Sequence, residues 1–143
     1  MPAIAFLRGS WLADRELADH LTGQAGSWYG EARFTGEAGC DELAYRENGQ
    51  LSFGGRHGPA GRSLSYRGRA DGSIDVCFAD GRPFYRLTLS GGGWQAGHRC
   101  GPDHYQVTGL LLADDCYTEH WLAEGPGKDY TIMTTFRRML PNS

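Results

Sequence analysis

The segment His98-Arg99-Cys100-Gly101-Pro102-Asp103-His104-Tyr105 gathers two imidazoles, a thiol, a carboxylate and a phenol within eight residues. With Gly101-Pro102 as a two-residue turn, Gly taking the positive φ of a type II′ hairpin, Cys100 faces Asp103, Arg99 faces His104 and His98 faces Tyr105. Side chains alternate along strands, so His98, Cys100, Asp103 and Tyr105 share one face, and Arg99 and His104 share the other. Trp94, Ala96, Val107, Gly109 and Leu111 continue the first group and Gln95 the second, which turns the four-residue cluster inward. An imidazole, a carboxylate and a phenol converging on an apolar cavity can orient a polar ligand or move a proton, because burial shifts their pKa values. His98, Asp103 and Tyr105 are therefore the candidate catalytic residues, with Cys100 and Trp94 beside them as candidate ligand contacts. The structural alternative is a self-satisfied group: Asp103 accepting the turn amides, His98 bonded to Tyr105, and Cys100 as a small apolar filler.

His98, Cys100 and His104 also read as H-x-C-x-x-x-H, but strand parity sends His104 to the opposite face. No metal site and no cofactor are expected. Arg33, Arg82, Lys128 and Arg137 sit in or near strands with apolar neighbours, and an interior cation needs an anionic partner from protein or ligand. Arg33, Arg82 and Lys128 are accordingly candidate ligand-binding residues, although Asp80-Gly81-Arg82 reads first as a turn. Gly125-Pro126-Gly127-Lys128 lacks phosphate-loop spacing, and no Ser-His-Asp motif, nucleophile elbow or dinucleotide fingerprint occurs. Cys100 is the one candidate for covalent catalysis.

The elements that must position these residues are strands. The 143 residues suit one domain, 1–143, and 22 glycines with 12% aromatic residues suit a sheet protein rich in turns. Short aromatic and β-branched runs mark eleven strands: Trp11 to Leu17, Trp28 to Thr35, Glu42 to Glu47, Gln50 to Arg56, Arg62 to Arg69, Ile74 to Ala79, Phe84 to Ser90, Trp94 to Arg99, His104 to Leu112, Cys116 to Glu124 and Tyr130 to Arg138. Asn48-Gly49, Asp71-Gly72 and Asp80-Gly81 supply hairpin centres. Such a meander must stack as two sheets or close, and closure removes exposed edges. The expected fold is all-β, a closed antiparallel barrel of about 8–11 strands. Asp14 to Thr22 reads equally as strand or as one short helix.

A net charge of −3 without a basic run argues against nucleic acid and anionic membranes as partners. The N-terminus lacks a signal-peptide pattern, and the longest apolar stretches fall far short of the ~20 residues that span a bilayer. A cytoplasmic protein, monomer or homodimer, is expected, with Cys40, Cys77, Cys100 and Cys116 as free thiols.

Gly9-Ser10-Trp11 near the start and Arg137-Arg138 near the end resemble the calycin superfamily of lipocalin-like barrels. There a G-x-W on the first strand packs under an Arg of the last strand and seals one end. More narrowly, Gly30-Glu31-Ala32-Arg33-Phe34, Asp80-Gly81-Arg82-Pro83-Phe84, His98 to Tyr105 and Gly125 to Tyr130 resemble a small bacterial calycin-like family of unknown function. The resemblance implies the fold and no established activity; read from the residues, the expected function is a ligand-binding barrel. Its cavity would take a small, partly apolar ligand whose anionic or hydrogen-bonding head meets His98, Asp103, Tyr105 and Arg82 or Lys128. The alternatives are a cofactor-independent isomerase, lyase or hydratase using His98 and Asp103, and a haem-binding, nitrobindin-like barrel with His98 or His120 as proximal ligand. A filled interior would instead favour a structural or interaction protein.

Overall fold

A computed structural model describes residues 3–37, 39–90 and 92–139, the side chains at 3, 89–90 and 98–100 excepted. After a short helix α1 (Ala3–Leu7), ten strands follow: β1 (Gly9–Asp19), β2 (Ala25–Thr35), β3 (Glu42–Phe53), β4 (Arg56–Gly68), β5 (Ile74–Phe78), β6 (Pro83–Ser90), β7 (Gly93–Cys100), β8 (Asp103–Ala113), β9 (Cys116–Gly125) and β10 (Lys128–Arg138). Each pairs antiparallel with its sequence neighbour, and β1 pairs with β10, closing the barrel. Closure leaves no edge to template aggregation.

The segment Asp14 to Thr22 is strand up to Asp19 and turn beyond it. Two expected strands, Glu42 to Glu47 and Gln50 to Arg56, merge into β3, so Asn48-Gly49 is not a hairpin. Gly49 instead lies mid-strand opposite Gly30 and Ala60. A Cβ there would stand 2.7 Å from the Trp28 ring and 2.4 Å from the Tyr29 carbonyl oxygen, so glycine serves close approach rather than a turn. The β3–β4 hairpin turns at Gly54-Gly55, with φ of 59° and 81°, as a two-residue turn with both centres left-handed requires. Asp71-Gly72 and Asp80-Gly81 do sit in turns, within connections spanning 69–73 and 79–82.

Inward positions alternate along every strand, placing Trp11, Ala13, Phe34, Leu43, Tyr45, Tyr66, Ile74, Val76, Leu87, Val107, Tyr117 and Phe136 in one apolar core. One end is plugged. The Arg138 guanidinium lies 4.2 Å from the centre of the Trp11 ring and donates to the Arg8 and Phe6 carbonyls at 2.9 and 2.6 Å. Trp11 Nε1 donates to the Leu7 carbonyl at 2.9 Å, and Phe6 of α1 packs on Trp11 and Tyr117. Arg138 is thus the capping arginine, facing Trp11 in register, while Arg137 points outward.

Candidate functional site

The turns at 54–55, 79–82, 101–102 and 126–127 ring the end opposite the plug, and a cavity of about 470 Å³ lies beneath them. Its upper wall is apolar and aromatic: Leu17, Phe78, Pro83, Phe84, Tyr105, Trp121, Tyr130 and Ile132. Phe78 and Phe84 stack at 4.4 Å between ring centres, and Trp121 tilts against Phe84 at 5.5 Å. Deeper in, the lining becomes polar and charged, with Arg15, Arg62 and Glu119 beside the Thr134 hydroxyl.

Four strands bring that charge together. Arg15 follows Trp11 and Ala13 on the inward face of β1, Glu47 follows Leu43 and Tyr45 on β3, and Thr134 precedes Phe136 on β10. Arg15 grips both Glu47 oxygens, Nη1 to Oε2 at 2.7 Å and Nη2 to Oε1 at 3.0 Å, and its Nε donates to Thr134 at 2.8 Å. Its guanidinium also covers the Trp28 ring at 4.6 Å. Tyr45 Oη donates to Glu47 Oε1 at 2.5 Å, and Arg62 Nε of β4 donates to the same oxygen at 3.3 Å. Burial alone would raise the Glu47 pKa, but hydrogen bonds from Arg15 and the charge of Arg62 outweigh it and hold the pKa at about 2. Burial pushes the Tyr45 hydroxyl well up, and the Glu47 charge adds to the effect. Arg62 stays cationic: burial opposes its charge, and Glu47 more than restores it.

Arg62 differs from Arg15 in one respect that matters for function. Its side chain is 38% accessible, and that free surface faces the cavity it lines. Glu47 is already held by Arg15 in a two-pronged pair and takes only the Nε of Arg62, so the terminal nitrogens of Arg62 stay turned to the cavity floor. Among the described residues, no acceptor meets its terminal nitrogens.

The β7–β8 hairpin has the expected register: His98 opposite Tyr105, Arg99 opposite His104 and Cys100 opposite Asp103, around Gly101 at a φ of 62°. The His98 and Cys100 side chains lie outside the described residues. Across the turn, Tyr105 lines the cavity, Asp103 is partly buried, and His104 is exposed on the outer face. Lys128, the sole lysine of the chain, donates to Tyr105 Oη at 2.7 Å and lies 3.3 Å from Asp103 Oδ2. The Tyr105 and Asp103 contacts raise its pKa, so it remains an ammonium at the rim. Asp103, Tyr105 and Lys128 are therefore brought together at the mouth.

Other expected site residues fall elsewhere. Arg33 is exposed, because the inward positions of β2 are Ala32 and Phe34. Arg82 is exposed in the 79–82 turn, paired with Asp80 at 2.7 Å and lying behind the Phe78 ring. Trp94 is 3% exposed and packs on Tyr117 toward the plugged end, away from the cavity. His120 occupies the outward parity of β9, between inward Glu119 and Trp121, so it is not placed to ligate a group in the lumen. Leu111 is 40% exposed, because β8 bulges between Leu111 and Ala113. Cys40, Cys77 and Cys116 are free thiols.

The floor residues Arg15, Glu47, Arg62 and Glu119 were not singled out from sequence. Arg15 shares the parity of Trp11 and Ala13, which was visible. Glu47 follows Leu43 and Tyr45 in parity, but Asn48-Gly49 reads as a turn directly after it and so hides its place within a longer strand.

A family model matches residues 7–138, described as a family of unknown function (DUF6314). The chain belongs to the DUF6314 family. No curated protein matches this DUF6314 chain in sequence. In fold it is similar to an S-type phycobiliprotein lyase, CPES, from Guillardia theta, with a TM-score of 0.68 and 12% identity over 97% of this chain and 92% of the lyase. A DUF3598-family protein of unknown function from Nostoc punctiforme shares 12% identity at a TM-score of 0.62, over 95% of this chain and 49% of that one. The barrel EF1p2_mFAP2b, solved bound to DFHBI, matches at a TM-score of 0.51 and 12% identity, over 96% and 98%. At these identities the likeness concerns the fold, a lipocalin-like barrel, as the sealed Trp11 end led one to expect.

Proposed function

We propose that this barrel binds a small, partly apolar ligand with an anionic head, the head on Arg62 and the body among Phe78, Phe84, Trp121 and Ile132. The observation that carries the reading is the Arg62 guanidinium, which lines the cavity with one nitrogen on an already neutralised Glu47. An apolar-walled cavity of this size with a few convergent polar groups is the form of a small-molecule site. A barrel of similar fold is known with DFHBI bound, which supports the class of function and not the ligand. Tyr105, Asp103 and Lys128 would meet the outer end of the ligand, with His98 and Cys100 on the neighbouring strand.

Calorimetric titration with 2-naphthoate and with 2-naphthalenemethanol tests the reading. The acid should bind the wild-type protein more tightly than the alcohol, and Arg62→Met should weaken the acid by about tenfold or more, ~1.4 kcal/mol. The variant should fold, because Arg15 and Tyr45 still satisfy Glu47. Equal affinities for acid and alcohol, or an acid affinity indifferent to Arg62→Met, would overturn the proposal.

A further inference from the structure

The cavity floor carries a second charge, of opposite sign to Arg62. Glu119 of β9 is 6% exposed and lines the same cavity. Its Oε1 accepts a hydrogen bond from Trp121 Nε1 at 2.8 Å, and its Oε2 accepts none from any described residue. Glu119 does not pair with Arg62, whose carboxylate partner is Glu47. Yet both lie near Tyr66 and Tyr85, whose ionisation they influence in opposite directions. Beside them the Tyr85 hydroxyl, on a residue 7% exposed, makes no hydrogen bond of sound geometry, although the Tyr66 phenol adjoins it. Glu119 Oε2 is not enclosed like the Tyr85 hydroxyl: it keeps open surface in the cavity, and a ligand that covers it must replace its hydration with a donor. The floor thus presents the terminal nitrogens of Arg62 and the Oε2 of Glu119, with no hydrogen bond between them or to another described residue.

We infer that Glu119 determines ligand specificity by accepting a hydrogen bond from a donor the ligand carries beside its acid group. The ligand class is then an aromatic or otherwise apolar acid with a neighbouring N–H or O–H. This rests on the proposed capture of the anionic head by Arg62 and extends it to the adjacent atom. Trp121 fixes the geometry: its indole N–H holds Oε1, which leaves Oε2 for the ligand. An acid lacking the donor would desolvate Oε2 and return nothing, so it should bind more weakly than one that carries the donor.

Indole-2-carboxylate and benzofuran-2-carboxylate share shape and acid group and differ in an N–H replaced by an ether oxygen. Calorimetry should show the indole binding the wild-type protein about ten- to a hundredfold more tightly, the range for a hydrogen bond to a charged group. In Glu119→Gln the amide oxygen must meet Trp121 and the amide N–H₂ faces the cavity, so the preference should vanish or invert. Arg62→Met should weaken both acids alike. Benzofuran-2-carboxylate still binding Glu119→Gln in an Arg62-dependent way would show that the variant is folded. Equal wild-type affinities, or a preference that survives Glu119→Gln, would overturn the role of Glu119 and leave Arg62 as the head-binding group. Binding of neither acid would overturn both.

Discussion

Two adjacent arginines near the C-terminus do different work, and the difference is a matter of strand parity. Arg138 stacks on Trp11 and satisfies two carbonyls left open where α1 ends, while Arg137 points to solvent. Arg138→Met should cost about 1–3 kcal/mol in urea denaturation, since it leaves partly buried carbonyls without donors. Arg137→Met should stay within ~0.5 kcal/mol. Equal effects would mean that the cap is electrostatic and diffuse rather than a seated guanidinium. At this scale the sequence was informative where a residue type had a demanding geometry, as Trp11 and its arginine did. It was silent on Arg62 because no local pattern shows that a neighbouring strand will already have satisfied Glu47. The relevant partner, Arg15, is 32 residues away from Glu47.

A tight turn of known length specifies the strands on either side of it. Gly101-Pro102 fixed the β7–β8 register to the residue, because a two-residue turn leaves no freedom in pairing. Asn48-Gly49 misled because glycine has two uses in sheets: left-handed turns, and positions where another group must lie flat on the backbone. Only the three-dimensional position of the Trp28 ring distinguishes them. Gly49→Ala should therefore destabilise by about 1–3 kcal/mol, as overpacking does, because one clash is with backbone and no rotamer relieves it. Gly97→Ala, where a Cβ would meet nothing within 4 Å, should change stability by no more than ~0.5 kcal/mol. Comparable losses at the two sites, measured by thermal or urea unfolding, would show that Gly49 is needed for flexibility and not for space.

Taken whole, the barrel is layered: an aromatic plug, a buried charged layer and an apolar cavity toward the mouth. The middle layer ties β1, β3, β4 and β10 together through Glu47, and its titration should govern how the molecule responds to acid. Because the folded-state pKa of Glu47 is depressed from 4.5 to about 2, its contribution is fully present above the unfolded value and is lost as pH falls through the folded one. That contribution is about 3 kcal/mol, and it should drain away between about pH 4.5 and pH 2. Surface carboxylates add a background. Asp75, for one, would be raised by burial, but Arg86 and Arg69 together outweigh that and hold it low; it is more exposed than Glu47 and more easily screened by salt. The double variant Arg15→Met with Glu47→Leu keeps that background and removes the buried pair. Urea midpoints from pH 6 to pH 2 should fall more steeply in the wild-type protein than in the double variant, with the difference confined to the window below about pH 4.5 and insensitive to salt. Arg15→Met alone should cost about 3–5 kcal/mol at neutral pH, since it strands a buried carboxylate. Parallel pH profiles for the wild-type protein and the double variant would place the acid sensitivity on the surface and reduce the charged layer to a scaffold for the cavity floor.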